Sequence, residues 1–247
     1  MRPRKTSQFQ PIPTGRIYNI FPTPLYRGEY HYDHSSVTNQ VKENLKLITD
    51  DNPKKSYTNY FFDDIRTAMC EQPWFNDFAN AIKDSYVDFC ATQFGHDFKG
   101  IDRNEIHLFA WASEYREGIH HESHNHSQSL ISGTYYPRVR GPAQPIQFYN
   151  PTGQIFSHEI AIDDGKHPVI PNTYYRGQEG SHEAIIVHPD EGEVLMWPAY
   201  LMHSVDSPDF VNEDYDRIAI SFNLYHHNIR LNNTEWGERF DYGQLYR

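Results

Sequence analysis

The chain has 247 residues and a formal net charge of -11, from 22 Lys plus Arg against 33 Asp plus Glu. Its mean hydropathy of -0.77, with no run near the ~18 to 20 apolar residues that a bilayer span needs, excludes a helical membrane protein. Aromatic residues make up 15% of the sequence, which excludes the aromatic-poor signature of disorder over most of its length and supplies material for one large core.

The acidic balance, with positive charges scattered rather than gathered in a stripe, argues against nucleic acid as a directly bound partner. Cys70 and Cys90 are too few for a disulfide framework and lack the paired spacing of a zinc site. No apolar segment follows the basic start at Arg2, Arg4 and Lys5, so the expected compartment is the cytoplasm, with no membrane partner.

In chain order, residues 1–15 are Pro-rich and polar, and read as an extended arm. A single domain is expected over 16–230, followed by a polar surface tail at 231–247. Aromatic and β-branched residues at 16–26 suggest a strand, which Pro22 and Pro24 would confine to a sheet edge. Helical sequence occupies about 35–95. Its clearest part is the stripe Phe75, Phe78, Ala79, Ile82, Tyr86, Phe89 and Cys90, with Gly95 as a C-terminal cap.

From about 105 to 227 the pattern changes to short apolar segments between Gly, Pro, Asn and Asp clusters, the sequence form of a β-sandwich or barrel. Candidate strands are 105–115, 120–126, 129–136, 146–149, 184–188, 193–198 and 217–225. The intervening stretch at 151–183 is long and turn-rich, as a functional lid or an excursion hairpin would be.

Chemistry concentrates in GIHHESHNHSQS, where His120, His121, His124 and His126 fall within seven residues. On a regular strand His120, Glu122, His124 and His126 would share one face, a row of imidazoles and one carboxylate suited to a transition metal, with a further ligand from elsewhere. Strand parity alone does not choose among them. Downstream, VLMWPAYLMHSV places His203 after a strand and turn, and RIAISFNLYHH opens an apolar strand with Arg217. A guanidinium at such a position is costly unless it meets an anion, so Arg217 reads as an anion anchor, with Ser221 on the same face as a second donor.

Taken in order, Gly118 followed six residues later by His-x-His, then SLISGTYY, FYNP, GEVLMWPAYLMHSV and RIAISFN resemble the Fe(II)/2-oxoglutarate oxygenases of the prolyl-hydroxylase-like superfamily, in a branch of bacterial and phage proteins. NIFPTPLY at 19–26 echoes the start of that branch. The resemblance implies a mainly β fold, a double-stranded β-helix (jelly roll, cupin-like) with N-terminal helices packed on one sheet. It also implies Fe(II), 2-oxoglutarate and dioxygen, with hydroxylation of a C–H bond in a peptide, protein (prolyl-like) or small-molecule substrate.

Residue by residue, the resemblance puts His124, His126 and His203 at the metal, Arg217 at the outer carboxylate of 2-oxoglutarate, and Ser221 and Tyr136 beside it as hydroxyl donors. This sequence departs from the common pattern at His126, where most of the superfamily has a carboxylate; Glu122 is the alternative source of that charge. Two other functions fit parts of the sequence. A cupin-like metal protein without 2-oxoglutarate would have no use for Arg217. A non-catalytic β-sandwich binding module would work through Trp111, Tyr115, Tyr135, Trp197 and Tyr200 and leave the histidines unexplained.

Overall fold

The computed structural model of the protein describes residues 23–52, 54–94, 101–116, 119–126, 129–141, 145–151, 184–206 and 215–226. The expected arm at 1–15, the tail at 231–247, the Gly95 cap and nearly all of the 151–183 stretch lie outside them. Among the described residues no helix is long and apolar enough to cross a membrane.

Among the described residues the first element is β1 (Tyr26–Glu29), followed by three α-helices, α1 (His34–Leu45), α2 (Asp63–Cys70) and α3 (Pro73–Phe94). Asp33 caps α1 by accepting a hydrogen bond from the Ser36 amide at 3.0 Å. Val37, Val41 and Leu45 then recur every fourth residue on one buried face. Asp63 and Asp64 occupy the first turn of α2, where negative charge complements the helix dipole. In α3, Pro73 takes the first position, where its missing N–H costs nothing. The expected apolar stripe is core: Phe75, Phe78, Ile82, Tyr86, Phe89 and Cys90 are buried, and Ala79 packs against them.

Eight further strands follow among the described residues: β2 (Ile106–Tyr115), β3 (His121–His124), β4 (Ile131–Arg140), β5 (Ile146–Tyr149), β6 (Ala184–Val187), β7 (Glu193–Pro198), β8 (His203–Val205) and β9 (Asp216–His226). They form two antiparallel sheets, a five-stranded one in the order β1-β7-β4-β9-β2 and a four-stranded one in the order β3-β8-β5-β6. This is the double-stranded β-helix that the resemblance implied; β1 sits at a sheet edge, and most of the strand expected at 16–26 lies outside the described residues.

Strand alternation divides the core in two. On β9, Ile218, Ile220, Phe222 and Leu224 face the helices, whereas Ala219 belongs to the cluster between the sheets. On β4, Ile131 and Tyr135 face the helices and Tyr136 faces inward. Gly133 lies between β7 and β9 where a Cβ would come within 2.5 Å of the Leu195 carbonyl oxygen and of the Phe222 ring, so only glycine fits.

Several strand boundaries differ from expectation. β4 runs to Arg140 rather than ending at 136, because a register shift between Tyr135 and Arg138 accommodates Pro137 and pairing with β9 then resumes. β3 is shorter than 120–126, and β8, which carries His203, is a strand of three residues that was not among those expected.

Candidate active site

Pairing between β3 and β8 sets His121 opposite Val205 and His124 opposite His203, with a shift of register between the two pairs. One extra residue on β3 makes a bulge, and a bulge reverses the parity of side chains beyond it. The expectation that His120, Glu122, His124 and His126 share one face is therefore overturned. His120 and Glu122 are exposed, while His121, His124 and His126 turn inward. His126 lies beyond the strand and is held by its amide, which donates to the Ala199 carbonyl at 2.9 Å.

His124, His126 and His203 offer ring nitrogens that all lie within 4.8 Å of one another. Nε2 of His126 is 3.3 Å from Nε2 of His203. Two ligands adjacent on one ion at ~2.1 Å bond lengths stand about 3 Å apart, so this separation suits a shared metal. His203 donates from Nδ1 to the Leu201 carbonyl at 2.9 Å, and His124 donates from Nδ1 to the Glu122 carbonyl at 2.7 Å. Each bond fixes the tautomer and leaves Nε2 with its lone pair, as metal-binding imidazoles require. Burial, with His124 close by, pushes His203 down to about 3 and His126 down to about 4, so both are neutral at pH 7. The donor set fits a divalent transition metal. Glu122 contributes its backbone carbonyl to this arrangement and its carboxylate stands outside the cluster.

The other expected residues lie around a narrow pocket between the sheets. Tyr136 and Ser221 are on its wall, with Tyr115, Thr134, Trp197 and the three histidines. Arg217 is 1% exposed and stacks its guanidinium 4.2 Å from the ring centre of Tyr115 and 5.4 Å from that of Tyr136. Ser221 Oγ is 3.3 Å from Thr134 Oγ1. The Trp197 indole N–H meets no acceptor among the described residues and is 2% exposed on the same wall. Arg217 itself stands behind Tyr115 and Tyr136 rather than on the wall, and a wall of hydroxyls and an indole with a buried cation behind it suits a carboxylate. The free space is about 30 Å³, so a five-carbon diacid enters only as its lining side chains shift.

Outside this pocket lies an open cleft of about 700 Å³, lined by Lys54, Tyr57, Tyr60, Phe61, Trp111 and the run from Ile119 to His126. Its far wall is the segment between α1 and α2, fastened to β2 where Glu114 N donates to Tyr57 O at 2.8 Å and Thr58 Oγ1 donates to Ala112 O at 2.9 Å. Sequence reading missed Tyr57 and His121. Tyr57 sits in a polar connection with no periodic signal, and His121 was set on the wrong face by strand parity. Of the five aromatics considered as an exposed groove, only Tyr200 is exposed.

Residues 109–223 match the family model described as "Putative 2OG-Fe(II) oxygenase". This match runs from β2 into β9 and covers somewhat less than half of the chain, and over it the protein is similar to 2-oxoglutarate- and Fe(II)-dependent oxygenases. Among solved structures it is similar to EvdO2 from Micromonospora carbonacea var. aurantiaca, with 9% identity, a TM-score of 0.50, and coverage of 83% of this chain and 89% of that one. It is also similar to a Pseudomonas putida prolyl-4-hydroxylase (9% identity, TM-score 0.48, covering 83% and 94%). A third is the viral collagen prolyl hydroxylase of Paramecium Bursaria Chlorella virus-1 with 2-oxoglutarate (10% identity, TM-score 0.45, covering 82% and 96%). No curated protein matches the chain by sequence.

Proposed function

We propose that His124, His126 and His203 hold the Fe(II), that Arg217 anchors the outer carboxylate of 2-oxoglutarate with Ser221 and Tyr136 beside it, and that a C–H bond of a peptide or small molecule is hydroxylated at the mouth of the open cleft. The observation that carries this reading is the convergence of three imidazoles within 4.8 Å beside a pocket backed by a buried arginine. A three-histidine set keeps the metal's charge at +2 where a carboxylate would reduce it, and this strengthens the attraction for the co-substrate dianion.

When bound, Fe(II) and 2-oxoglutarate together activate dioxygen, coupling oxidative decarboxylation to succinate and carbon dioxide with hydroxylation of the substrate. The protein's part is positional. Carbonyl contacts at Leu201 and Glu122 hold two imidazoles with Nε2 toward the ion. The Tyr115 ring, 4.2 Å from the guanidinium carbon, and the Tyr136 ring, 5.4 Å from it, restrict the orientation of Arg217, so its contact with a carboxylate is directed. Trp111 stands between the two spaces, on the wall of both the cleft and the inner pocket. A substrate lying in the cleft therefore approaches from the His124 and His126 side while the co-substrate occupies the closed interior. The domain is proposed to extend over 16–230, in the cytoplasm, with the prolyl side chain as the first peptide substrate to try.

The test is anaerobic titration with Fe(II) followed by 2-oxoglutarate, watching for the weak visible charge-transfer band of the chelate. One equivalent of each is expected to develop it. Metal binding with no band on adding the diacid would leave a metal protein without 2-oxoglutarate chemistry.

A further inference from the structure

His121 is the one inward-facing histidine of β3 that lies outside the three-imidazole group. Its two ring nitrogens meet two tyrosine hydroxyls: Nε2 is 2.5 Å from Tyr57 Oη, and Nδ1 is 3.3 Å from Tyr115 Oη. Tyr57 lies on the wall of the open cleft, whereas Tyr115 lies on the wall of the inner pocket, with its ring under Arg217. A chain of three side chains thus runs from the substrate side to the co-substrate side. The bulge in β3 creates it, since a regular strand would turn His121 away from the face that carries His124.

A neutral imidazole has one N–H and one lone pair, so it accepts from one hydroxyl and donates to the other. The arrangement has two polarities. In one, Tyr57 donates to Nε2, Nδ1–H donates to Tyr115 Oη, and the Tyr115 proton is left to point into the pocket. In the other, every donor reverses and the spare proton belongs to Tyr57. Both phenols are buried and stay protonated. An anion beside Arg217 selects the first polarity, because it takes the Tyr115 proton as a charge-assisted hydrogen bond.

We infer that Tyr57 and His121 are positioning residues that aim the Tyr115 hydroxyl at the co-substrate carboxylate held by Arg217. This rests on the assignment of the inner pocket to 2-oxoglutarate made above. Tyr115 is then a direct contact of the co-substrate, and His121 acts only through it.

The test is the anaerobic titration of the full chain, run on single and double variants. Fe(II) is loaded first, its stoichiometry is measured, and 2-oxoglutarate affinity is read from the charge-transfer band. The expected result is that Tyr115→Phe weakens 2-oxoglutarate about 10-fold or more, the loss of one hydrogen bond to a charged group, and leaves iron stoichiometry unchanged. His121→Leu should weaken it by a smaller factor in the same direction, and the Tyr115→Phe/His121→Leu double variant should be no weaker than Tyr115→Phe alone. A purely structural His121 would give additive losses.

If His121→Leu fails to fold, Tyr57→Phe, which removes one oxygen, must still weaken the diacid without altering iron. Loss of iron with His121→Leu would make His121 a ligand and overturn the inference. Unchanged diacid affinity in the His121 and Tyr57 variants, or additive losses in the double variant, would overturn it as well. A wild-type protein that shows no band fails the reading of the pocket instead, and the two failures are thereby distinguished.

Discussion

Nε2 of His126 and Nε2 of His203 face each other across 3.3 Å, one from the segment beyond β3 and the other from β8, 77 residues later in the chain. His203 carries its proton on Nδ1, bonded to the Leu201 carbonyl, so its Nε2 presents a lone pair toward its neighbour. An ion between them turns this contact into a favourable one. His203→Ala and His126→Ala should each abolish stoichiometric Fe(II) or Mn(II) binding while leaving the far-ultraviolet circular dichroism spectrum intact. Glu122→Ala should bind metal as the wild type does. Metal lost with Glu122 and kept without His126 would restore a two-histidine, one-carboxylate set.

Arg217 is buried against the rings of Tyr115 and Tyr136. Truncation to Ala leaves an incoming carboxylate without its counter-charge, and the expected loss in 2-oxoglutarate affinity is about 2–5 kcal/mol, the cost of breaking a desolvated charge pair on one side. Metal affinity should stay within about 2-fold. Lysine should recover only part of the loss, because an ammonium neither stacks on the tyrosines nor contacts a carboxylate through two N–H groups. Isothermal titration of the Mn(II)-loaded variants reads both quantities, and equal weakening of metal and diacid would mark Arg217 as structural.

The metal-free protein should lose stability on mild acidification. Burial, with smaller contributions from neighbouring charges, lowers His203 to about 3 and His121 and His126 to about 4. Unfolded histidines take up protons below about pH 6.5 while the native ones stay neutral, so the unfolded state binds more protons across that interval. Stability is fully present above pH 6.5 and falls toward pH 4, by up to about 1.4 kcal/mol per pH unit for each such group. Thermal melts between pH 7.5 and 5 should show a declining midpoint, and saturating Mn(II) should raise the midpoint most at the upper end. A flat profile over that range would contradict the burial of these imidazoles.

Gly133 offers a test of the packing that holds β4 in place. An alanine Cβ there would press on the Leu195 carbonyl and the Phe222 ring, one of them backbone and the other locked in the core beneath α3. Gly133→Ala should cost about 1–3 kcal/mol, seen as a lower urea midpoint at unchanged slope. An unshifted midpoint would mean that β4 and β7 separate without penalty.

Much of this architecture was readable from residue order alone. The apolar stripe of α3 has the 3.6-residue period of a helix packed on one face, and every member named from the sequence packs in the core. On β9, alternation put Arg217 and Ser221 on one face, and in the structure Ile218, Ile220 and Phe222 pack on the other, because that strand pairs with β2 in unbroken register. The same rule failed on β3. One extra residue between His121 and His124 is enough to exchange faces, and a bulge has no mark in a run of polar residues where either face could be the wet one.

What sequence determined by itself was therefore the period-bearing part of the protein: the helices, the long strands, and the residue types needed for a metal and an anion. Only the tertiary structure decided which histidines converge, that a backbone carbonyl rather than the carboxylate of Glu122 supports His124, and that Tyr57 reaches His121 from a connection 64 residues upstream. Those choices depend on where two sheets and a loop meet in space. Local periodicity records which face of each element is buried, but it carries no information on what that face will meet.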